Sequence, residues 1–167
     1  MGLPAFQYLL DEYGPDVHRM LIASVGPVDA DDCYQETWIA ALRAYPRLRD
    51  ASNLRGWVLT VAQRKAIDHI RKRARTAIPA GDAVEVGDGA GVVGTRVLAA
   101  IADGPQFDSP WPSVRKLPPK QRMAVALRFA LDLDFEAVGE TMGTSADAAR
   151  RNVHEGLKKL REEYSDD

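Results

Sequence analysis

A single cysteine, Cys33, is all that 167 residues supply, so no disulfide can close within the chain and a reducing cytoplasm is the expected compartment. The three histidines, His18, His69 and His154, stand far apart and build no metal-ligand spacing, so no metal and no other cofactor is expected. Long apolar runs are missing as well. No segment approaches the roughly 20 apolar residues that cross a bilayer, and the N-terminus lacks the basic flank and apolar stretch of an export signal. There is no glycine-rich phosphate cradle, no nucleophile elbow and no specific carboxylate pair, which argues against an enzyme. The chain is long enough for one medium domain or two small ones.

Net charge is also nearly absent, at −2, but the total hides a strong segregation. Residues 1–54 carry four basic and eight acidic side chains, residues 55–75 seven basic and one acidic, and residues 76–110 one basic and five acidic. A basic block thus stands between two acidic stretches.

The most informative stretch is 117–161, LPPKQRMAVALRFALDLDFEAVGETMGTSADAARRNVHEGLKKLR. Pro118 and Pro119 open a helix that buries Met123, Leu127 and Ala130; Asp134 caps a second that carries Phe135, Val138 and Met142. Gly143 and Thr144 make a turn. Ser145 caps a third helix, on which Ala149, Val153, Leu157, Leu160 and Tyr164 recur every three or four residues and leave Arg150, Arg151, His154, Lys158 and Arg161 elsewhere. A short turn between two helices, followed by a helix with a narrow apolar seam and a basic surface, is the pattern of a DNA-binding helix-turn-helix. An ordinary helical hairpin with a solvated charged face is the competing reading of the same periodicity.

Residues 5–75 read as nearly all helical. Gly14-Pro15, Gly26-Pro27, Pro46 and the polar run Arg49 to Asn53 punctuate them into four segments. Asp29 or Asp31 is placed to start the helix DDCYQETWIAALRAY, with Cys33, Thr37, Ala40, Ala41 and Ala44 near one side and Asp32, Gln35, Glu36 and Arg43 on others. In the next helix Val58, Ala62, Ala66 and Ile70 form an apolar stripe, while Trp57, Val61, Arg64, Asp68, Arg71 and Arg75 fall on another line. Cations that neutralise phosphates, headed by an aromatic ring that can stack on an unpaired base, suit DNA being opened. Simple core packing is the equal alternative for Trp57. From Thr76 to Pro112 the composition turns to Gly, Ala, Val, Asp and Pro, a connector with a short helix around Arg96 to Ala102.

Four stretches carry a family resemblance: AFQYLLDEYGPDVHRMLIASVG, DADDCYQETWIAALRAY, NLRGWVLTVAQRKAIDHIRKRAR and LPPKQRMAVALRFALDLDFEAVGETMG. In this order, with the acidic connector before the fourth, the chain resembles bacterial sigma factors of the sigma-70 family, in the extracytoplasmic-function group that keeps only regions two and four. The resemblance implies an all-α protein of two small helical domains: residues 1–75 as region two, 76–112 as a flexible acidic linker and 113–167 as the region-four helix-turn-helix. It implies a cytoplasmic protein that binds the β′ and β subunits of core RNA polymerase, directs it to promoters and helps melt promoter DNA. An anti-sigma factor is an expected further partner, and no membrane is.

Residue roles follow from position in the resemblance. Asp32, Gln35, Glu36 and Trp38 fall where the family meets the polymerase clamp helices. Asp50, Ser52 and Asn53 fall in the loop that captures a flipped −10 base, a step that costs only a few kcal/mol. Trp57, Arg64, Lys65, His69, Arg71 and Lys72 belong to the helix that holds the −10 region. Arg150, Arg151, Asn152, His154 and Lys158 belong to the helix that reads the −35 element. The acidic linker matches the segment that threads the polymerase's basic RNA path. Asn152 stands where a basic residue is usual, Glu155 adds an acid, and Gly156 is expected to weaken the middle of the helix by about 1 kcal/mol relative to Ala. The main alternative is a free-standing helix-turn-helix regulator that binds duplex DNA without polymerase; a third is an interaction protein that sequesters a transcription factor.

Overall fold

The computed structural model describes residues 2–77 and 110–165, in which every regular element is helical. Helix α1, Phe6–Val25, runs without interruption through Gly14-Pro15, where the sequence pattern suggested a break. Pro15 removes one helical N–H, but Leu9 on one side of it and Val17, Met20 and Leu21 on the other are all fully buried, and that shared burial keeps the helix on one line. Gly14 serves a different purpose from a stop. A side chain there would start 2.8 Å from the Tyr34 hydroxyl, so its absence lets the next helix approach.

Helix α2, Pro27–Ala44, begins earlier than either expected cap. Gly26 turns the chain at φ 88°, a conformation that favours glycine, and Pro27 fills the first helical position, where a missing N–H costs nothing. Asp29 and Asp31 therefore do not cap. Cys33 is buried, and its thiol is pushed up to about 12 by that burial and then by the carboxylates of Glu36, Asp29 and Asp32. A 3-10 turn, Tyr45–Arg47, and an exposed loop lead to α3, Leu54–Thr76, so the first half holds three α-helices and one short turn where four helical segments were expected.

The second half starts with the single turn α4, Trp111–Val114, followed by α5, Pro119–Ala130, α6, Phe135–Met142, and α7, Ala146–Ser165. The caps fall where the sequence put them. Asp134 Oδ1 accepts from the Ala137 N–H at 2.8 Å, Ser145 Oγ accepts from Ala148 at 3.1 Å, and Gly143 makes the left-handed turn at φ 68°. The apolar seam of α7 ends at Leu160, since Tyr164 is exposed.

Helices α1, α2 and α3 pack on one another; α5 lies against α1 and α3, α6 against α3, and α7 across α5 and α6. The result is one continuous core from Leu9 to Val153 that both halves share, with a smaller cluster of Val114, Leu117, Val125 and Leu160 beneath α7. Of the expected linker, 76–112, residues 78–109 lie outside the described residues, the expected short helix around Arg96 with them; Thr76 is the last residue of α3, and Trp111 and Pro112 belong to α4. Among those described, no helix is long and apolar enough to cross a membrane.

Candidate nucleic-acid and partner interface

The burial of Cys33, Thr37 and Ala41 turns the opposite side of α2 outward, and that side carries Asp32, Gln35 and Glu36, all exposed. Trp38 is a correction to the expected surface. Its ring is 6% exposed, edge-on to Phe6 and Tyr34 at 5.9 and 6.0 Å, so it belongs to the packing that holds α2 in place and cannot be presented to a partner. Two residues that sequence reasoning passed over take its place on the outside: Ile39 and Leu42 are more than half exposed beside the acidic side chains. The signal was available, because WIAAL holds more large apolar residues than a single buried face needs.

At the entry to α3 the loop side chains are already committed to the backbone. Asn53 Oδ1 accepts from the Gly56 N–H at 2.9 Å and caps the helix, which leaves its amide N–H₂ as a donor. Asp50 Oδ1 accepts from the Ser52 N–H at 2.8 Å, and this bond, with the Ser52 hydroxyl, holds the Asp50 carboxyl below its ordinary value. Asp50, Ser52 and Asn53 are all exposed. They form one accessible polar loop with a charged acceptor and a free amide donor.

Along α3, Arg64, Arg71 and Lys72 are exposed, and Lys65 and His69 half-buried. Trp57 falls between its two sequence readings: it is half-buried, packed on the core, with its ring 6.1 Å from that of Tyr45. The carboxylate of Asp29, at the first turn of α2, lies 3.3 Å from His69 Nε2 without a hydrogen bond to it, and pairs with Arg73, tying α2 to the far end of α3. Between them opens a cleft of about 580 Å³ whose lining includes Asp32, Glu36, His69, Lys72 and, from the second half, Arg122. The acidic face of α2 and the basic end of α3 thus share one rim.

On α7 the seam of Ala149, Val153, Gly156 and Leu160 faces inward and leaves Arg150, Arg151, His154 and Lys158 exposed, with Asn152 half-buried. Gly156 is not a weakness in this helix. A Cβ there would meet Val125 Cγ2 at 2.9 Å and Leu117 Cδ1 at 3.3 Å, so the glycine is what allows α7 to cross α5. Glu155, which looked like an acid placed against DNA, accepts from Gln121 Nε2 at 3.2 Å across the same crossing.

Two family models match this chain: Sigma-70 region 2 over residues 9–76 and Sigma-70 region 4 over residues 113–160. The chain belongs to the sigma-70 family, in its extracytoplasmic-function group. As a sigma factor it is 26% identical over 98% of its length to the ECF RNA polymerase sigma factor BldN of Streptomyces coelicolor, of which it spans 61%. It is 30% identical to the ECF RNA polymerase sigma factor SigD of Mycobacterium tuberculosis, over 95% of this chain and 76% of that one. In fold it is similar to the sigma factor RpoE in complex with the anti-sigma factor NepR from Bartonella quintana, with a TM-score of 0.67, 94% of each chain covered and 19% identity. The region 2 match spans α1, α2 and α3 of this sigma factor, and the region 4 match runs from within α4 to Leu160 of α7.

Proposed function

We propose that this sigma factor binds core RNA polymerase through the outward face of α2, opens the −10 element on the loop and α3, and reads the −35 element with α7. The observation that carries the reading is the coexistence, on one chain matching both sigma regions in order, of an exposed acidic and apolar face on α2 and an exposed basic face on α7. Asp32, Gln35 and Glu36, joined by Ile39 and Leu42, combine charge with apolar area, which is what a protein interface requires and duplex DNA does not. Asp50, Ser52 and Asn53 supply the acceptor and donor for a flipped base; Arg64, Lys65, Arg71 and Lys72 supply phosphate neutralisation, with His69 at their edge. Arg150, Arg151 and Asn152 stand at the start of α7, the part of a recognition helix that meets base edges, and His154 and Lys158 extend the basic surface.

In this reading residues 1–75 and 113–167 are the two working units, joined by residues 76–112, and the chain catalyses nothing itself. A free-standing regulator would have no use for the α2 face. The deciding experiment is promoter-specific initiation: purified chain added to bacterial core polymerase on a library of promoter sequences. Specific transcripts that depend on the added chain are expected. Binding to duplex promoters with no effect on polymerase would overturn the reading in favour of the regulator.

A further inference from the structure

Phe135 opens α6 directly after the Asp134 cap, and its half-buried ring lies where α5, α6 and α7 meet. Two guanidinium groups stand near that one ring. Arg150 of α7 places its Cζ 5.1 Å from the ring centroid, and Arg128, near the end of α5, places its own 5.5 Å away. Both fall within the roughly 6 Å at which an aromatic quadrupole attracts a cation. Each arginine also has an acidic partner: Asp147 lies 3.4 Å from Arg150 and Asp132 lies 3.3 Å from Arg128.

The two restraints on Arg150 differ in what they leave available. The ion pair with Asp147 occupies an N–H edge that a base would need, and it joins two side chains that are 62% and 84% exposed, so it is weak and screened by salt. Stacking uses the face of the guanidinium plane and leaves its edge donors free to form a bidentate contact. We infer that Phe135 is a positioning residue for reading the upstream promoter element: its ring holds the Arg150 guanidinium in a narrow range of orientations, and a base edge then displaces Asp147.

This inference rests on the role proposed for α7. An arginine restrained before binding loses less rotamer freedom when it docks, and the gain is realised only where the guanidinium fork meets a matching base. The ring therefore serves sequence discrimination and not general affinity. Its own placement is secure, because the Asp134 cap fixes the start of α6 and the half-buried ring packs on the shared core.

The test uses holoenzyme assembled from core polymerase and the full chain, on promoters in which each base of the upstream element is varied in turn. The unaltered protein should prefer particular bases, and Arg150→Ala should erase the preference at one position. Phe135→Leu keeps an apolar side chain but removes the π face; it should reduce that same preference about three- to tenfold and leave the other positions unchanged. Phe135→Tyr should restore it, and in an Arg150→Ala background Phe135→Leu should have no further effect there. A uniform loss across all promoters, or an undiminished preference, would overturn the positioning role and leave the sigma-factor reading in place. If the unaltered holoenzyme initiates specifically but shows no preference at the upstream element, the role of α7 fails and the inference with it.

Discussion

Gly156 shows how one residue changes meaning between sequence and structure. By helix propensity alone, replacing it with alanine should stabilise α7 by about 1 kcal/mol. The structure reverses the sign. The added methyl would sit 2.9 Å from a methyl of Val125, a buried β-branched side chain with little room to turn, and overpacking of this kind costs typically 1–3 kcal/mol. Gly156→Ala is expected to destabilise the protein by about 1 kcal/mol net, read as a lower urea midpoint with an unchanged slope. A raised midpoint would mean that α7 can slide on α5 and that propensity prevails.

At the scale of elements, α3, α6 and α7 start on side-chain caps at Asn53, Asp134 and Ser145, but α3 makes its cap do two jobs. Asn53 ties off the first turn through its oxygen and offers its amide nitrogen to the proposed −10 pocket. Asn53→Asp separates the two: a carboxylate caps at least as well and suits the positive helix N-terminus, yet it has no N–H and brings a negative charge towards DNA. Thermal stability within about 0.5 kcal/mol of the parent is therefore expected, since both residues rank equally as caps. Strand opening at the −10 element, followed by permanganate reactivity, should fall sharply. Normal opening would remove Asn53 from the pocket.

For the molecule as a whole, the decisive feature is the seam between its halves. Arg122 of α5 is 8% exposed; its Nε donates to the Leu117 carbonyl at 3.2 Å and its Nη1 to the Ser24 carbonyl at 3.3 Å, in the last turn of α1. A cation at a helix C-terminus meets unpaired carbonyls and the negative end of the dipole. Burial, and then the nearby Arg115, lower its pKa to about 10, which still leaves it charged at neutral pH. Arg122 thus joins α5 of the second half to the end of α1 in the first, beside the packing of α6 on α3. Arg122→Ala removes hydrogen bonds from a charged donor, a loss of about 1.5–3 kcal/mol. Small-angle scattering should then show a larger radius of gyration. An unchanged radius with lowered stability would mean that Arg122 supports the fold without holding the halves together.

The sequence by itself determined the three helices that follow Pro118, their caps at Asp134 and Ser145 and the segregation of charge, because caps, periodicity and composition are local properties written in neighbouring residues; the order of two sigma regions was legible only through the family resemblance, and the short α4 was not legible. It misjudged Gly14-Pro15, the start of α2 at Asp29 or Asp31, Trp38 and Gly156. Whether a proline breaks a helix, a tryptophan is presented or a glycine is a weakness depends on which side chains another helix brings within a few ångströms. Only the tertiary structure decided that Arg128 and Arg150 converge on the Phe135 ring, that Asp29 ties Arg73 of α3 to α2, and that both halves share one core. Those contacts join residues far apart in the chain, and no periodicity along a single helix carries the distance between two.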